Sequence, residues 1–194
     1  MRRVVVVEYV SVDGVVQAPG FPDEDRDGGF EHGGWTGPFM DDHRLYISDA
    51  LPKFGAILLG RRTYEIFAAY WPTVTDESDQ IATTLNSLPK YVASTTLNEA
   101  DWAGTTVIHS DVADEVAKLK ELPGKDILVV GSSELAQTLM EHGLVDEYRL
   151  CVHPVVLGGG KRLFRDGNPA IALKFVDVET TNSGLVILTY ENAA

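Results

Sequence analysis

The chain has 194 residues, of which 29 are acidic and 16 basic, so its formal net charge is −13. This length is typical of a single domain, here residues 1–194, whose core needs no disulfide. The acidic surface repels nucleic acid and anionic membranes, and neither is expected as a partner. Cys151 is the only cysteine, which excludes a disulfide within the chain and predicts a reducing, cytoplasmic location.

The first predicted strand, residues 4–12, is β-branched and almost entirely apolar, which is typical of a central strand covered on both faces. Glu8 interrupts its apolar run, and Asp13-Gly14 predicts a turn after it. Residues 17–39 form a long loop rich in glycine, proline and acidic residues. Loops of this length are usually functional lids or disordered. Its ring-bearing side chains favour a lid: Phe21, Phe30, His32, Trp35 and Phe39.

Residues 41–53 predict a helix that directs Leu45, Ile47 and Leu51 toward the core. Asp41 and Asp42 lie near its N-terminus. Acids at that position commonly complement the helix dipole. The alternative is that one of them faces a pocket as an acid.

A predicted buried strand, residues 55–59, leads through Gly60-Arg61-Arg62 into a helical pattern over residues 63–70, with Thr63 as its N-cap. Ligands of open α/β sheets bind at the carboxyl ends of strands, and a helix N-terminus adds partial positive charge. Arginine fits phosphate oxygens bidentately, so this turn favours a phosphorylated small molecule. Two solvated arginines at a loop edge are the alternative, and the turn alone leaves both open.

Two later turns have related chemistry. A short strand over residues 90–94 ends in the hydroxyl cluster Ser94-Thr95-Thr96. The strand Asp126–Val130 is broken by Gly131-Ser132-Ser133 before a helix over residues 134–141. Backbone N–H groups at such a helix start bind anions, although an ordinary turn capped by Ser133 is the alternative. The remaining predicted elements are a helix over residues 75–86, a strand over 106–109, a helix over 112–122 and a strand over 147–152.

The C-terminal part predicts a hairpin, residues 171–178 and 185–190, turned at Asn182-Ser183-Gly184. Apolar residues take odd positions through Phe175 and even positions from Val176, which predicts a bulge there. Strands that alternate with helices and are followed by a run of strands predict an α/β fold. Its sheet should be mostly parallel with an antiparallel edge.

Several kinds of site are not predicted. The five histidines are scattered and there is one cysteine, so no metal site is expected. No Gly-x-Ser-x-Gly elbow anchors a hydrolase triad. Gly158-Gly159-Gly160-Lys161 is not a Walker loop, because Val155 stands where that motif needs glycine.

Four motifs in this order resemble the dihydrofolate reductase-like family. They are Ser-Val-Asp-Gly at 11–14, Leu-Gly-Arg-Arg-Thr-Tyr-Glu at 59–65, Val-Gly-Ser-Ser-Glu-Leu at 130–135 and Pro-Val-Val-Leu-Gly-Gly-Gly-Lys-Arg-Leu-Phe at 154–164. The chain resembles most its branch with the reductase domain of bacterial riboflavin biosynthesis, and the resemblance covers nearly the whole chain. It implies a mixed sheet of about eight strands flanked by helices, NADPH as hydride donor, and often a homodimer.

The resemblance also implies roles for individual residues. Arg61 matches the arginine that grips the 2′-phosphate of NADPH, and Arg62 and Thr63 lie along the cofactor phosphates. Ser94 and Thr95 fall at the 2′-phosphoribose, and Val16 and Gln17 near the nicotinamide. Asp42 is an approximate match to the acid of folate reductases and is the expected catalytic residue. The other expected cofactor-binding residues are Gly60, Val130, Gly131, Ser132, Ser133, Glu134 and Leu135. His109 either borders the adenosine or lies at the surface.

The predicted function is an NADPH-dependent reductase that transfers hydride to a C=N or C=O carbon of a small substrate such as a heterocycle. Asp42 or a bound water would supply the proton. The alternatives are a true dihydrofolate reductase, a pyrimidine reductase of the riboflavin pathway, and a nucleotide-binding module without turnover. A zinc deaminase domain, which the bifunctional riboflavin enzyme carries, is excluded by the single cysteine.

Overall fold

The structure is a computed structural model that describes residues 1–165 and 170–193. Within these residues the strands are β1 Val4–Ser11, β2 Phe54–Gly60, β3 Lys90–Ala93, β4 Thr105–Ile108, β5 Asp126–Val130, β6 Glu147–His153, β7 Leu173–Thr180 and β8 Val186–Asn192. The α-helices are α1 Met40–Ala50, α2 Arg61–Tyr70, α3 Gln80–Ser87, α4 Val112–Glu121 and α5 Ser133–Glu141.

The strands form one eight-stranded sheet in the order β4-β3-β2-β5-β1-β6-β8-β7. The strands from β4 to β6 are parallel, whereas β8 and β7 are antiparallel to their neighbours. This confirms the predicted α/β fold with a mostly parallel sheet and a C-terminal antiparallel hairpin. The central position of β1, between β5 and β6, is confirmed as well.

Both faces of the sheet are covered, because successive side chains of a strand point to opposite faces. Val6 of β1 belongs to an apolar cluster with Leu139 of α5, whereas Val7 belongs to a second cluster with Leu85 of α3. Parallel strands with covered faces place all their carboxyl ends at one edge of the sheet. The turns after β1, β2, β3 and β5 therefore meet at that edge.

Some local predictions need correction. Helix α2 begins at Arg61 and not at residue 63, with Gly60 as its N-cap, so Thr63 lies inside the helix and does not cap it. Helix α1 ends at Ala50 and continues as a 3-10 turn, Leu51–Lys53, because Pro52 cannot donate a helical hydrogen bond. Leu45 was predicted in the core and is 68% exposed, since its helical phase turns it to solvent. The bulge near Phe175 is confirmed by a register shift there.

Leu58 and Leu45 test how far burial decides stability. Leu58 of β2 is fully buried, so Leu58→Ala should lower the free energy of unfolding by about 2–5 kcal/mol. Leu45→Ala, the matched control on the exposed face of α1, should change it by less than about 0.5 kcal/mol. Urea denaturation of both variants measures the difference. Equal losses would contradict the assignment of the core.

Candidate functional site

A cavity of about 820 Å³ lies along the edge where the carboxyl ends of β1, β2, β3 and β5 meet. Every residue that the sequence predicted to bind a cofactor lines this cavity: Val16, Gln17, Gly60, Arg61, Arg62, Thr63, Ser94, Thr95, Val130, Gly131, Ser132, Ser133, Glu134 and Leu135. Residues separated by more than a hundred positions in the chain are thus brought to one surface. Asp42 is not part of the lining.

Two helices begin at the cavity without a side-chain cap. The N-cap of α2 is Gly60 and that of α5 is Ser132, and neither cap makes a side-chain hydrogen bond to its helix. Helix starts of this kind leave backbone N–H groups for an anion and add partial positive charge. The Ser132 Oγ instead accepts the Gly60 N–H at 2.9 Å. This bond ties the two turns together.

Glycines lie on both sides of the gap between the two turns. A Cβ atom at Gly60 would lie 3.5 Å from the Ser132 Cβ, and one at Gly131 would lie 3.6 Å from the Thr63 side chain, which are ordinary van der Waals distances. Gly131 also has a φ of 54°, a left-handed conformation that favours glycine. Phosphate groups need this kind of close approach to backbone N–H groups. The local geometry therefore fits a cofactor with a pyrophosphate.

Cations on the cavity wall are held by carboxylates. The Arg61 Nη1 lies 2.8 Å from the Glu65 Oε1 one turn later in α2. The Arg62 Nη1 lies 2.7 Å from the Asp27 Oδ2 of the long loop, and the Lys161 Nζ lies 2.8 Å from the same oxygen. Hydrogen bonds from Lys161 and then Arg62 lower the pKa of Asp27 to about 2. A phosphate bound at Arg62 would compete with the loop for this cation.

The long loop is packed over part of the cavity rather than extended in solvent. Phe30 and Trp35 are buried, and the Trp35 Nε1 donates to the Gln17 carbonyl at 2.9 Å. The Gln17 side chain donates to the carbonyls of Asp25 and Asp27 at 3.2 and 3.0 Å. Phe21 lines the cavity and is 53% exposed. The Phe21 end of the loop thus offers aromatic surface that a ligand can bury.

Asp42, the predicted catalytic acid, lies in the first turn of α1 and faces the β7–β8 turn. Its Oδ2 accepts hydrogen bonds from the Ser183 hydroxyl and from the Ser183 N–H, the latter at 3.1 Å. The Ser183 hydroxyl lowers the pKa of Asp42. Its neighbour His43 points inward and stacks on Tyr9 with ring centroids 4.4 Å apart. Helical phase separates neighbouring residues by about 100°, so the approximate match of Asp42 does not bring it to the cavity.

His109 is exposed and does not line the cavity, whereas its neighbour Ser110 does. Of the two positions predicted for His109, beside the adenosine or at the surface, the surface position is the one observed. Among residues 1–165 and 170–193, no group of three or more histidine, cysteine, aspartate or glutamate side chains is arranged to hold a metal ion. In the same part of the chain, no helix combines the length and apolar character that crossing a membrane requires.

Glu8 of β1 is a cavity residue that the sequence reasoning did not select. It is 2% exposed, and burial raises the pKa of its carboxyl from 4.5 to about 8. Its Oε1 has no hydrogen-bond partner among the described residues. The signal in the sequence was a lone acid inside a strand that is otherwise apolar. Buried acids without a structural partner are typical of functional sites.

Because the folded protein keeps a proton on Glu8 that the unfolded chain releases, the free energy of unfolding should fall as pH rises from 4.5 to about 8. His43 and His153, whose pKa values are lowered by burial, act in the opposite direction below their ordinary pKa of 6.5. Between pH 6.5 and 7.5 the Glu8 contribution to the slope should be about 1 kcal/mol per pH unit, and the two histidines oppose it most at the low end of this range. Glu8→Gln, the isosteric control, should remove this slope in urea denaturation. Wild-type and variant slopes that agree would contradict a buried, protonated Glu8.

Comparison with known proteins identifies the family. Residues 2–187 match the RibD C-terminal domain. The chain belongs to the RibD C-terminal domain family. One relative of the chain is YyaP, an uncharacterized protein of Bacillus subtilis strain 168. It is 36% identical over 191 residues, which cover 97% of this chain and 94% of YyaP. A second uncharacterized B. subtilis protein, YwjB, is 28% identical over 165 residues, or 85% of this chain and 84% of YwjB.

Solved structures share the fold of this RibD C-terminal domain. A putative riboflavin biosynthesis protein from Shewanella sp. PV-4 superposes with a TM-score of 0.67 at 19% identity, over 99% of both chains. A pyrimidine reductase-like protein from Corynebacterium diphtheriae gives 0.60 at 14% identity, over 100% of this chain and 92% of the other. A diaminohydroxyphosphoribosylaminopyrimidine deaminase/5-amino-6-(5-phosphoribosylamino)uracil reductase from Thermotoga maritima gives 0.63 at 14% identity, over 99% of this chain and 57% of the other. The predicted resemblance and its eight-stranded fold are confirmed.

Proposed function

We propose that this protein is an NADPH-dependent reductase that transfers hydride to a C=N or C=O carbon of a small substrate such as a heterocycle. The observation that carries the proposal is the cavity, where three strand-end turns of suitable chemistry meet. Membership of the RibD C-terminal domain family supports it. A reduced nicotinamide supplies the hydride when the cofactor is bound.

The order of the turns across the sheet supports one direction for the cofactor. The strands from the edge inward are β4, β3, β2, β5 and β1. Ser94 and Thr95 follow β3 and offer hydroxyl groups for the phosphoribose, beside Arg61 at the end of β2. The turns after β2 and β5 offer two helix starts for the pyrophosphate. The nicotinamide would then lie toward β1, near Val16.

The protein's own contribution would be positioning and exclusion of water. Hydroxyl, guanidinium and backbone N–H groups of the three turns would hold the cofactor in place. The Phe21 end of the long loop would close over the ligand and keep water from the reaction, as closing loops do in other enzymes. Asp42 is the proton source predicted from the sequence, but its carboxylate is engaged by Ser183 and does not line the cavity, so the proposal assigns it no step. A cytoplasmic location and a homodimer also remain predictions.

A pyrimidine reductase of the riboflavin pathway is the second candidate. It is favoured by the Thermotoga maritima protein, whose name includes 5-amino-6-(5-phosphoribosylamino)uracil reductase. A substrate with a phosphoribosyl group would need a second phosphate site besides the cofactor turns. A nucleotide-binding module without turnover is the third candidate.

A measurement of NADPH oxidation by absorbance separates these candidates. The acceptors are a panel of heterocyclic imines and ketones together with 5-amino-6-(5-phosphoribosylamino)uracil. The proposal predicts NADPH binding and oxidation with at least one acceptor. Oxidation with the phosphoribosylated pyrimidine alone would favour the second candidate. Binding without oxidation by any acceptor would favour the module.

The acidic loop should compete with NADPH for Arg62. Asp27→Asn removes one of the two carboxylates that pair with Arg62 and Lys161, Asp25 being the other, so we expect several-fold tighter binding of NADPH at low salt. Asp23→Asn, in the same loop but paired with Arg26, is the matched control and should leave affinity unchanged. Fluorescence titration of NADPH measures both variants. Weaker binding to Asp27→Asn would show that this acid helps the cofactor site instead of opposing it.

A further inference from the structure

Glu8 is a buried acid whose packing and position have no structural explanation. A buried carboxylate normally pairs with a cation or accepts several hydrogen bonds. The Oε1 of Glu8 is fully buried and has no partner among the described residues. The titratable groups that interact with it are Tyr9 and, on β6, Cys151. Burial raises the pKa of both, that of Cys151 to about 12, so both neighbours are uncharged at neutral pH.

The position of Glu8 relates it to the cofactor turns. The carbonyl of Val7, the preceding residue, accepts the Gly131 N–H at 3.3 Å. Glu8 therefore lies one residue beyond the proposed pyrophosphate turn, on the neighbouring strand β1. On the direction proposed for the cofactor, phosphates lie over β2 and β5 and the reacting end lies over β1. Glu8 and Val16 both line this end of the cavity.

We propose that Glu8 is a catalytic residue, a neutral carboxylic acid on the cavity floor that donates its proton to the substrate atom next to the carbon that receives hydride. This inference rests on the proposed reductase function and extends it to the substrate class. The substrate presents a weakly basic C=N nitrogen or a C=O oxygen toward β1. A carboxylate-bearing group at that atom is disfavoured, because after the proton transfer it would face the Glu8 carboxylate in a buried site.

The step balances in atoms and electrons. The hydride and its two electrons come from NADPH, which is oxidised to NADP⁺, and form the new C–H bond. The π electron pair of the C=N or C=O bond moves to nitrogen or oxygen and takes the Glu8 proton. The Glu8 O–H bond breaks, and the carboxylate regains a proton from water when product leaves. The raised pKa of Glu8, about 8 through burial, keeps the acid protonated at neutral pH and ready to donate.

The first test needs no turnover. Dicyclohexylcarbodiimide, an apolar reagent, reacts with protonated carboxyl groups in apolar sites, and peptide mass spectrometry locates the adduct. At pH 7 we expect the adduct at Glu8, and saturating NADPH should protect it. Glu134 is the internal control, because it lines the same cavity and the hydrogen bond from Arg165 lowers the pKa of its carboxyl. An unlabelled Glu8, or a labelled one that NADPH leaves unprotected while bound, would overturn the proposal.

The second test uses Glu8→Gln, which keeps shape and removes the acidic proton. The acceptor is whichever cyclic imine or ketone wild type reduces fastest. We expect unchanged NADPH affinity and a kcat lower by about 10²–10⁴-fold, with the residual rate rising toward low pH as solvent supplies the proton. An unaltered kcat and pH profile would overturn the role of Glu8 and leave the proposed reductase function in place. Failure of wild type to bind or oxidise NADPH would remove the reductase function, and the role of Glu8 with it.

Discussion

Ser133→Asp should weaken NADPH binding by about a hundredfold. Ser133 is the first residue of α5 and lines the cavity at the proposed pyrophosphate turn. A carboxylate within about 5 Å of a phosphate charge costs about 3 kcal/mol at an effective dielectric constant of about 20, which corresponds to about a hundredfold in Kd. The helix itself should not suffer, because an acid in the first turn favours the helix dipole by about 0.3–1 kcal/mol. Isothermal titration and thermal unfolding measure the two effects.

Two features make this variant informative. Ser133→Asn is the matched control, since it has nearly the same shape without charge, and it should change affinity only slightly. Glu134 is a natural acid beside this turn, but Arg165 pairs with it and lowers the pKa of its carboxyl, so its charge is largely compensated. Equal affinities of Ser133→Asp and wild type would contradict the position of the pyrophosphate.

NADPH should bind about ten- to a hundredfold more tightly than NADH, and Arg61→Ala should remove most of this preference. A phosphate held by an arginine gains about 1.5–3 kcal/mol per charged hydrogen bond, and each 1.4 kcal/mol is about tenfold in affinity. Arg61 lines the cavity beside Ser94 and Thr95. Its present partner, Glu65, is an exposed neighbour in the same helix, an interaction of little value that a phosphate can replace. NADH has no 2′-phosphate, so its affinity should hardly change.

Arg44→Ala is the control for loss of a surface arginine, since Arg44 pairs with Asp79 away from the cavity. It should leave both affinities unchanged. Isothermal titration of both cofactors against wild type and the two variants measures the preference. If Arg61→Ala lowers the affinities for NADPH and NADH alike, Arg61 does not bind the 2′-phosphate.

The turns that line the cavity could be predicted from the sequence because their signals are local. A buried strand, a glycine and a helix start within a few residues specify both the turn and its place at the edge of the sheet. For the same reason Arg61 and Ser132, although far apart in the chain, could be assigned to one surface. The bulge at Phe175 could also be predicted. Alternation of apolar residues shows which side of a strand is covered, so a change in that alternation marks a bulge.

The acids of the site could not be predicted in this way. Whether Asp42 or His43 faces inward depends on the rotation of α1 about its axis, and a short amphipathic pattern does not fix that rotation. The placement of Asp27 against Arg62 depends on how the long loop folds back, which no local pattern specifies. Glu8 was visible as an interruption of an apolar strand. Its meaning, however, follows only from the cavity beside it and the absence of a partner for its Oε1 among the described residues.

Hydrogen–deuterium exchange of the wild-type chain with and without NADPH tests the central claim, that this cavity is the NADPH site, most directly. Bound NADPH should slow amide exchange at residues 60–63, 94–95 and 131–135, which line the cavity. The β7–β8 hairpin, Leu173–Thr180 and Val186–Asn192, is the internal control and should exchange at the same rate in both states. Protection at the three turns and at the Phe21 end of the long loop, with none in the hairpin, is the predicted result. Unchanged exchange at the turns with saturating NADPH, or protection centred elsewhere, would contradict it.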